Sequence, residues 1–432
     1  MSNKSQKTHR LMFMIALIVA GEAVFVLPFQ VARFFRPSVL ELFDLTNTEL
    51  GAAQGMYGIL AMFSYFLGGP LADRFPARKL MATSLWLTAA GGLYMATLPG
   101  YRGAMLLWGF FGVTTIMLFW AALIRATRDW GGSDEQGRAY GLLDGGRGLF
   151  AALLASVAIF SFGIFFPDSS DTTSIEEKRQ ALRIVIFIYT IATALAGVFV
   201  WFVVSDAHAG GGSEHNQWRP GEENVWKHIL HVLRIPAVWL QAIIVMCAYV
   251  GYKGFDNYSL YAVQGYGMNE IEAARMVAIA AWMRPFAAVA AGFLGDRFTI
   301  SRMIMIVFAM LLGSDLFFAI NTPVPGTAWV LLGNMLIAGA AIFSLRGLYF
   351  ALFQEAKVPL AVTGTAVGLV SVVGFTPDIF VAYVAGIMLD RSPGLAGHQH
   401  FFFFMAAFAA IGMIASFITM RMLHPVSSTK GH

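Results

Sequence analysis

The sequence predicts an all-α membrane protein of twelve transmembrane helices, arranged as two pseudo-symmetric six-helix bundles with both termini in the cytoplasm. Three observations lead to this fold class: the scarcity of charge, the length of the apolar blocks, and an internal repeat. Of the 432 residues, 58% are hydrophobic and only 12% are charged, and the mean hydropathy is +0.67. Soluble domains carry about twice that share of charged residues, so this composition cannot supply a water-exposed surface.

The apolar residues fall into blocks of about 20, the length that an α-helix needs to cross a hydrocarbon core about 30 Å thick. The first six blocks lie near residues 11–32, 50–72, 79–98, 102–125, 138–165 and 181–204. The second six lie near residues 236–262, 272–295, 301–320, 326–353, 362–388 and 401–423. Between the two sets lies a polar stretch that contains Gly-Gly-Gly-Ser and has the composition of a linker. We therefore predict an N-terminal bundle over residues 1–204, a cytoplasmic linker over 205–235 and a C-terminal bundle over 236–432.

The distribution of basic residues predicts the orientation. With the N-terminus inside, 17 of the 29 lysines and arginines fall on the inner side and eight on the outer side, where Arg33 and Arg36 are counted. Because cytoplasmic loops carry the excess of positive charge, this asymmetry favours an even number of spans with both termini inside. The remaining four basic residues fall inside predicted spans. The formal net charge of +4 is too small to indicate a nucleic-acid partner.

An internal repeat indicates two equivalent halves. The sequence Gly69-Pro-Leu-Ala-Asp73-Arg74-Phe75 closes the second predicted helix, and Gly292-Phe-Leu-Gly-Asp296-Arg297-Phe298 closes the eighth, 223 residues later. The sequence Gly137-Arg-Ala-Tyr-Gly141-Leu142 opens the fifth helix, and Gly364-Thr-Ala-Val-Gly368-Leu369 opens the eleventh, 227 residues later. Two matches at nearly one offset indicate a six-helix unit used twice, and parallel halves of this kind rock about a central site in transporters.

The loop Gly69-x-x-x-Asp73-Arg74-x-x-x-Arg78-Lys79 resembles the loop signature of the major facilitator superfamily, and Gly292 to Arg302 resembles its weaker second copy. The resemblance covers nearly the whole chain and implies the superfamily's fold, a central cavity near the midplane and solute transport by a bacterial carrier. In that family the charged loop residues latch helices together on the cytoplasmic side. The positions that match this latch are Asp73, Arg74, Asp296 and Arg297; alternatively, these charges only set the topology.

Two further segments are similar to the organophosphate:phosphate antiporter branch of that superfamily. They are Trp120-x4-Arg125-x4-Trp130 and the run Tyr252-Lys253-Gly254-Phe255-Asp256-x4-Tyr261. That branch grips phosphate with one arginine in helix 1 and another in helix 7. The corresponding positions here are Phe29 or Gln30 and Gly251, so this pair of arginines is not carried over.

The basic residues inside predicted spans are Arg147, Lys253, Arg284 and Arg346. A charge within a span costs at least about 2.5 kcal/mol and usually faces a cavity or another charge. Arg147 and Lys253 each have an aspartate three residues away, Asp144 and Asp256, so these two pairs can serve packing alone. Arg284 and Arg346 have no such neighbour in sequence. Because a guanidinium matches a carboxylate, sulfonate or phosphate, we predict that Arg284 and Arg346, with Arg147 or Lys253, bind an organic anion.

Two kinds of side chain complete the predicted site. Tyr57, Trp282 and Tyr349 lie at a depth from which they can line the pathway, although an aromatic residue in a membrane helix more often serves packing. Glu22, near mid-membrane and without a basic residue one turn away, is the first candidate to hold a coupling proton, since desolvation favours its protonated form. Asp378 is the second candidate. The alternative for both is a buried acid that is hydrogen-bonded to a neighbouring helix.

The sequence contains no nucleotide-binding loop, nucleophile elbow or metal-ligand spacing, so an enzyme, a cofactor or a metal site is not expected. We predict a monomeric, multi-pass secondary active transporter of the cell (inner) membrane that moves a small organic anion, coupled to protons. Its partners would be that substrate, the proton and membrane lipid. Three alternatives stay open: an exporter of amphipathic compounds, a sugar or polyol symporter, and a ligand sensor that does not transport.

Overall fold

The computed structural model describes residues 3–131, 136–165, 174–204, 233–324, 326–349, 351–355 and 369–423. All regular structure in these ranges is helical. Most of the predicted linker, residues 205–232, and the second copy of the Gly137 motif lie outside the described residues.

The N-terminal half contains nine described α-helices, two of which run into π-helical segments. The α-helices are α1 (Asn3–Phe25), α2 (Val31–Phe34), α3 (Arg36–Leu42), α4 (Asn47–Arg74), α5 (Ala77–Met95), α6 (Tyr101–Gly112), α7 (Ala121–Gly131), α8 (Gln136–Phe165) and α9 (Ile175–Val203). The π-helical segments are Val26–Gln30, between α1 and α2, and Val113–Trp120, between α6 and α7.

The C-terminal half contains another nine described α-helices. They are α10 (Pro236–Gly254), α11 (Tyr258–Tyr266), α12 (Glu270–Ala281), α13 (Met283–Phe298), α14 (Ile300–Ile320), α15 (Ala328–Leu348), α16 (Leu352–Glu355), α17 (Pro377–Arg391) and α18 (Leu395–Leu423). A single 3₁₀ turn, Phe255–Asn257, joins α10 to α11, and residues 369–374 are also helical. The two repeated glycine motifs end α4 at Arg74 and α13 at Phe298, as the repeat predicts.

Eleven stretches of the described chain are long and apolar enough to cross a membrane. They are Lys7–Phe34, Asn47–Ala72, Tyr101–Gly131, Ala139–Ile164, Ile175–Val203, Pro236–Tyr266, Glu270–Gly295, Ile300–Ile320, Ala328–Leu348, Leu369–Arg391 and Leu395–Leu423. The helix α5, which occupies the third predicted block, is not among them.

The outer surface of the helices is apolar. Phe202 is 81% exposed and Phe293 is 75% exposed, and many other large apolar side chains are exposed on the same helices. Soluble monomers rarely leave contiguous apolar patches of more than a few hundred Å² in water. This surface is therefore suited to contact with lipid.

The two ends of the helices define two faces. We call the end near Lys7, Arg74 and Phe298 the terminal face, because α1 begins there, and the end near Phe34, Asn47 and Arg391 the far face. Three helices that begin at the far face carry a capping box, in which Thr46, Ser174 or Asn269 bonds reciprocally with the glutamate three residues later. These caps satisfy backbone N–H groups where the helices emerge from the apolar layer.

The halves meet closely at the far face and separate toward the terminal face. A Cβ added to Gly55 of α4 would lie 2.6 Å from the carbonyl oxygen of Ile379 in α17, so only glycine allows this approach of the two helices. A Cβ added to Gly69, four turns further along α4, would meet no described atom within 4 Å. On α8, Gly148 likewise lies against Arg284 of α13, whereas Gly141 and Gly145 have open space. Among the described residues, the space between the halves therefore widens toward the terminal face.

Candidate functional site

A cavity lies between the two halves and holds about 700 Å³ of empty space, counted out to its open side. Both halves contribute to its wall. Its charged lining residues are Glu22, Arg147, Arg284, Arg346 and Asp378, and its aromatic lining residues are Phe25, Phe29, Tyr57, Tyr65, Trp120, Tyr249, Tyr252 and Phe375. Ligand sites in membrane transporters lie at this kind of interface between repeats, and mixed apolar and charged walls are typical of small-molecule pockets.

The π-helical segments shape the N-terminal side of the cavity. Phe29 belongs to Val26–Gln30, and Ile116 and Trp120 belong to Val113–Trp120. The indole nitrogen of Trp108 donates to the carbonyl oxygen of Pro28 at 3.0 Å, which ties the first segment to α6. π-helical turns are rare and occur mostly at functional sites, because they redirect side chains and free backbone groups.

Glu22 lies between arginines of the two halves. Its Oε2 is 3.5 Å from Nε of Arg147 in α8 and 3.5 Å from Nη1 of Arg284 in α13. The side-chain amide of Gln30 donates to its other carboxylate oxygen at 3.4 Å. The sequence prediction noted only that Glu22 lacks a basic neighbour on its own helix; its two cationic neighbours come from positions more than 100 residues away.

Arg284 also contacts Asp144, whose carboxylate accepts a hydrogen bond from Nη2 at 3.2 Å. The same carboxylate is 3.9 Å from Nη1 of Arg147, so the expected Asp144–Arg147 pair forms, with Arg284 as a third member. Arg284 has no acidic residue close to it in sequence, but it is paired with carboxylates from distant parts of the chain. Glu22 and Arg284 also line a smaller space of about 330 Å³, together with Gln30, Arg33 and Tyr252.

Lys253 links Asp378 in the cavity wall to the ion pair between Asp256 and Arg33 behind it. Its Nζ is 3.3 Å from Asp256, as the sequence spacing predicts, and 3.3 Å from Asp378, which lines the cavity. Asp256 in turn accepts a hydrogen bond at 2.6 Å from Arg33 of α2, in the other half. The hydroxyl of Tyr249 donates to Asp378 at 3.0 Å.

Arg33 was expected in an outer loop, and the structure corrects this interpretation. The residue is buried, and its guanidinium lies 4.9 Å from the ring centroid of Tyr252. The positive-inside count treats each arginine near the end of a span as solvated. It therefore could not detect that Arg33 is a buried partner of Asp256 and Tyr252. The proximity of Tyr252 and Asp256 in one helical run was the only available signal for a buried cationic partner.

Arg346 differs from the other cations of the cavity. Its guanidinium lies 4.0 Å from the ring centroid of Tyr252 and 5.9 Å from that of Tyr249. Within the described ranges, no carboxylate lies at salt-bridge distance from it. Among the described residues, the Arg346 guanidinium is therefore stabilised at short range by two aromatic faces and not by an ion pair.

The three predicted aromatic residues lie in different places. Tyr57 lines the cavity, packs against Phe29 with ring centroids 4.8 Å apart, and shares a hydrogen bond of 2.9 Å with Thr115. Trp282 is not in the cavity wall; its indole nitrogen donates to Ser156 on α8 at 3.4 Å. Tyr349 is buried next to the site but does not line the cavity. Tyr65, Tyr249 and Tyr252 line it, and the sequence prediction did not select them.

The predicted latch residues lie at the terminal face. Arg74 and Arg297 are exposed, and the guanidinium of Arg297 lies 5.6 Å from the ring centroid of Phe298. The side chains of Asp73 and Asp296 lie outside the described part of the structure. Nearby, Arg125 donates to the carbonyl oxygen of Ala72, so at this face α7 is bound to α4 within the same half.

Two membrane-embedded helical halves that meet at one face and enclose a charged cavity between them define a class of protein, the secondary transporters. The chain belongs to the major facilitator superfamily, whose sequence profile matches residues 11–382. This confirms the family that the loop motifs indicated. The protein is a multi-pass membrane transporter and not an enzyme.

Its relatives agree with this assignment. The chain is 29% identical over 379 residues to the inner membrane protein YqcE of Escherichia coli (strain K12), covering 86% of this chain and 85% of the relative. It is 26% identical over 417 residues to the inner membrane protein YihN of the same organism, covering 94% of each. A crystal structure of a mutant of the nucleoside transporter NupG superposes with a TM-score of 0.73 at 14% identity, covering 96% of this chain and 100% of NupG, which shows a shared fold.

Proposed function

We propose that this chain is a monomeric secondary active transporter that moves a small organic anion across the inner membrane by alternating access, in symport with protons. The observation that carries the anion assignment is Arg346, a cavity-lining guanidinium with no carboxylate partner among the described residues. An unneutralised cation in a membrane cavity is costly, and an anionic substrate would remove that cost.

The topology is part of the same proposal. We place twelve membrane helices in two bundles, residues 1–204 and 236–432, with α5 as the third helix and residues 205–235 as the linker between them. Both termini and the terminal face are then cytoplasmic. The described state would be open to the cytoplasm, and Asp73, Arg74, Asp296 and Arg297 would form the latch when that side closes.

Glu22 supports proton coupling through its position. It bridges Arg147 and Arg284, so it holds the two halves together by charge across the cavity. A substrate anion that binds the same guanidinium groups competes with Glu22 for them. The anion would bind first, while Glu22 is ionised, and Glu22, released from its cationic partners, would then take up the proton that is carried with the anion. Asp378, between Lys253 and Tyr249, is the second candidate for the proton.

The first test is binding and flux with a matched pair of variants. Arg346→Gln should abolish stabilisation of the purified protein by carboxylates and sulfonates in thermal-shift measurements, because the charge that balances the anion is lost. Arg302→Gln, which removes an exposed arginine at the terminal face, should leave it unchanged. Stabilisation by neutral sugars or by amphipathic compounds, with all anions inert, would contradict the proposal and favour the sugar or exporter alternatives.

Proton coupling requires a separate measurement. In proteoliposomes, a pH gradient should drive accumulation of the anion through the unsubstituted protein, and Glu22→Gln should exchange the anion without responding to the gradient. A glutamine keeps the shape of Glu22 but cannot change its charge. Gradient-driven accumulation by Glu22→Gln would show that Glu22 is not the coupling residue and would leave Asp378 as the candidate. Anion binding without any flux in the unsubstituted protein would instead favour the sensor.

A further inference from the structure

The charges around the cavity do not cancel. Nine charged side chains lie in its wall or in the ion pairs that extend behind it, five of them cationic and four anionic. The cations are Arg33, Arg147, Lys253, Arg284 and Arg346, and the carboxylates are Glu22, Asp144, Asp256 and Asp378. With all of them ionised, this set of described residues has one net positive charge.

The excess positive charge can be assigned to Arg346 by following the ion pairs. Arg33 and Lys253 share Asp256, at 2.6 and 3.3 Å, and Lys253 also contacts Asp378. Arg147 and Arg284 share Glu22 and Asp144. Two cations are thus matched by two carboxylates in each group, and Arg346, without an ion pair among the described residues, lies against the rings of Tyr252 and Tyr249.

A substrate with one negative charge makes this site neutral. A substrate with two negative charges leaves an excess negative charge between the two halves, and a neutral one leaves the positive charge of Arg346. Each uncompensated charge is unfavourable there because the surroundings screen it poorly. Carboxylates and sulfonates carry one charge at pH 7, whereas phosphate monoesters carry about −1.5 to −2.

From this count we infer that the cavity selects a singly charged organic anion, a carboxylate or sulfonate, over a doubly charged phosphate monoester. The inference rests on the proposed function, since it names the charge of the anion that binds at Arg346. It also identifies Glu22 and Asp144 as the residues that set the preferred charge, because they neutralise the two other arginines that an anion could reach. The aromatic walls, including Phe29 and Trp120, would contact the uncharged part of the substrate.

The experiment compares ligands that share one body and differ only in charge. A phenyl, a hexose and a propyl body would each be offered as a neutral alcohol, a carboxylate and a phosphate monoester, at pH 7.5, to the full-length purified protein. Dissociation constants would come from thermal-shift titrations. In the unsubstituted protein, the carboxylate of the best-bound body should bind at least about tenfold more tightly than its phosphate ester, the size expected for one poorly screened charge.

Removal of one carboxylate should reverse this preference. Glu22→Gln raises the net charge of the site to two, so the ratio of phosphate-ester to carboxylate affinity should rise at least about tenfold. Asp144→Asn should change the ratio in the same direction, which keeps the test valid if either variant folds poorly. Glu176→Gln removes an exposed carboxylate on α9, outside the cavity, and should leave the ratio unchanged.

The possible failures are distinguishable. If no anion binds, or if binding survives Arg346→Gln, the proposed anion site itself is wrong. If anions bind through Arg346 but phosphate esters bind the unsubstituted protein more tightly, the charge inference alone is overturned. An affinity ratio that does not change in Glu22→Gln and Asp144→Asn would overturn it as well, because those carboxylates would then not set the charge of the site.

Discussion

The two faces of the molecule differ in how the halves contact each other. From the far face to the level of the cavity, α4 and α17 approach so closely that glycine is required at Gly55 and Gly58, where an added Cβ would lie 2.6 Å from backbone atoms of α17. At the terminal face, Gly69 on the same helix has open space around it. Among the described residues, α4 is therefore tightly packed against α17 at Gly55 and Gly58 and has free space beside it at Gly69, nearer the terminal face.

The polar contacts at the two faces also differ. Near the far face, carboxylates of the C-terminal half bind donors of the N-terminal half: Asp256 binds Arg33, Glu270 binds Ser38, and Asp390 binds the start of α4. At the terminal face, the contacts between Arg10 and Trp130 and between Ser301 and Glu355 each join elements of one half. Closure of the far face thus involves polar contacts between the halves.

The largest effect on this asymmetry should come from Asp256→Asn. The substitution leaves Arg33 buried without its carboxylate, and breaking a buried ion pair in this way costs about 3–5 kcal/mol. The far face should open. Electron-spin distance measurements between labels at the exposed positions Arg102 and Ala396 would detect this opening. The labelled protein would carry alanine in place of Cys247. Adding Arg33→Gln to the same chain should recover much of the closed population. No change in the distance distribution of Asp256→Asn would remove this pair from the closing contacts.

An intermediate effect is expected from Gly55→Leu. Overpacking of a tight contact costs about 1–3 kcal/mol, a shift of about 5- to 150-fold in the equilibrium between closed and open states. Gly69→Leu places the same side chain on the same helix in open space and should leave the label distance unchanged. Equal behaviour of the two variants would contradict the difference in packing between the faces.

The smallest effect should follow Asp390→Ala. The carboxylate of Asp390 accepts hydrogen bonds from the backbone N–H of Thr48 at 2.7 Å and of Asn47 at 3.2 Å. Loss of such a cap costs about 0.5–2 kcal/mol, so the far face should open only partly. Asp129→Ala, an exposed aspartate of α7 at the terminal face, is the matched control and should have no effect on the far-face distance. Complete opening in Asp390→Ala would mean that the ion pairs contribute less than this cap.

Local patterns in the sequence were sufficient for the all-helical membrane fold and the family. Apolar block length, the glycine motifs ending at Arg74 and Phe298, and the loop signature depend on residues close together in the chain, and the superfamily assignment confirms the family that they indicated. Pairs within one helix, such as Lys253 with Asp256, could be predicted for the same reason.

The arrangement of the cavity could not be derived in this way. Glu22 and Arg284 are separated by 262 residues, and the packing of α13 against α8 brings Arg284 within reach of Glu22. Arg284 and Arg346 looked alike in sequence, yet one has two carboxylate partners and the other has none among the described residues. Which buried charges neutralise each other is a property of helix rotation and crossing, and a single sequence does not encode these in local spacing. The binding and coupling roles of these residues remain predictions.

The start of α4 has two sets of capping groups, and this has a consequence for turnover. Thr46 and Glu49 belong to the helix itself and bond reciprocally, whereas Asp390 comes from α17 and bonds the next two N–H groups. When the halves separate, the helix keeps its own cap, and the N–H groups that Asp390 leaves can bond water at the surface. The first turn of α4 therefore need not unravel in each transport cycle. In the proposed transport cycle, this contact can therefore form and dissociate without refolding of the helix start.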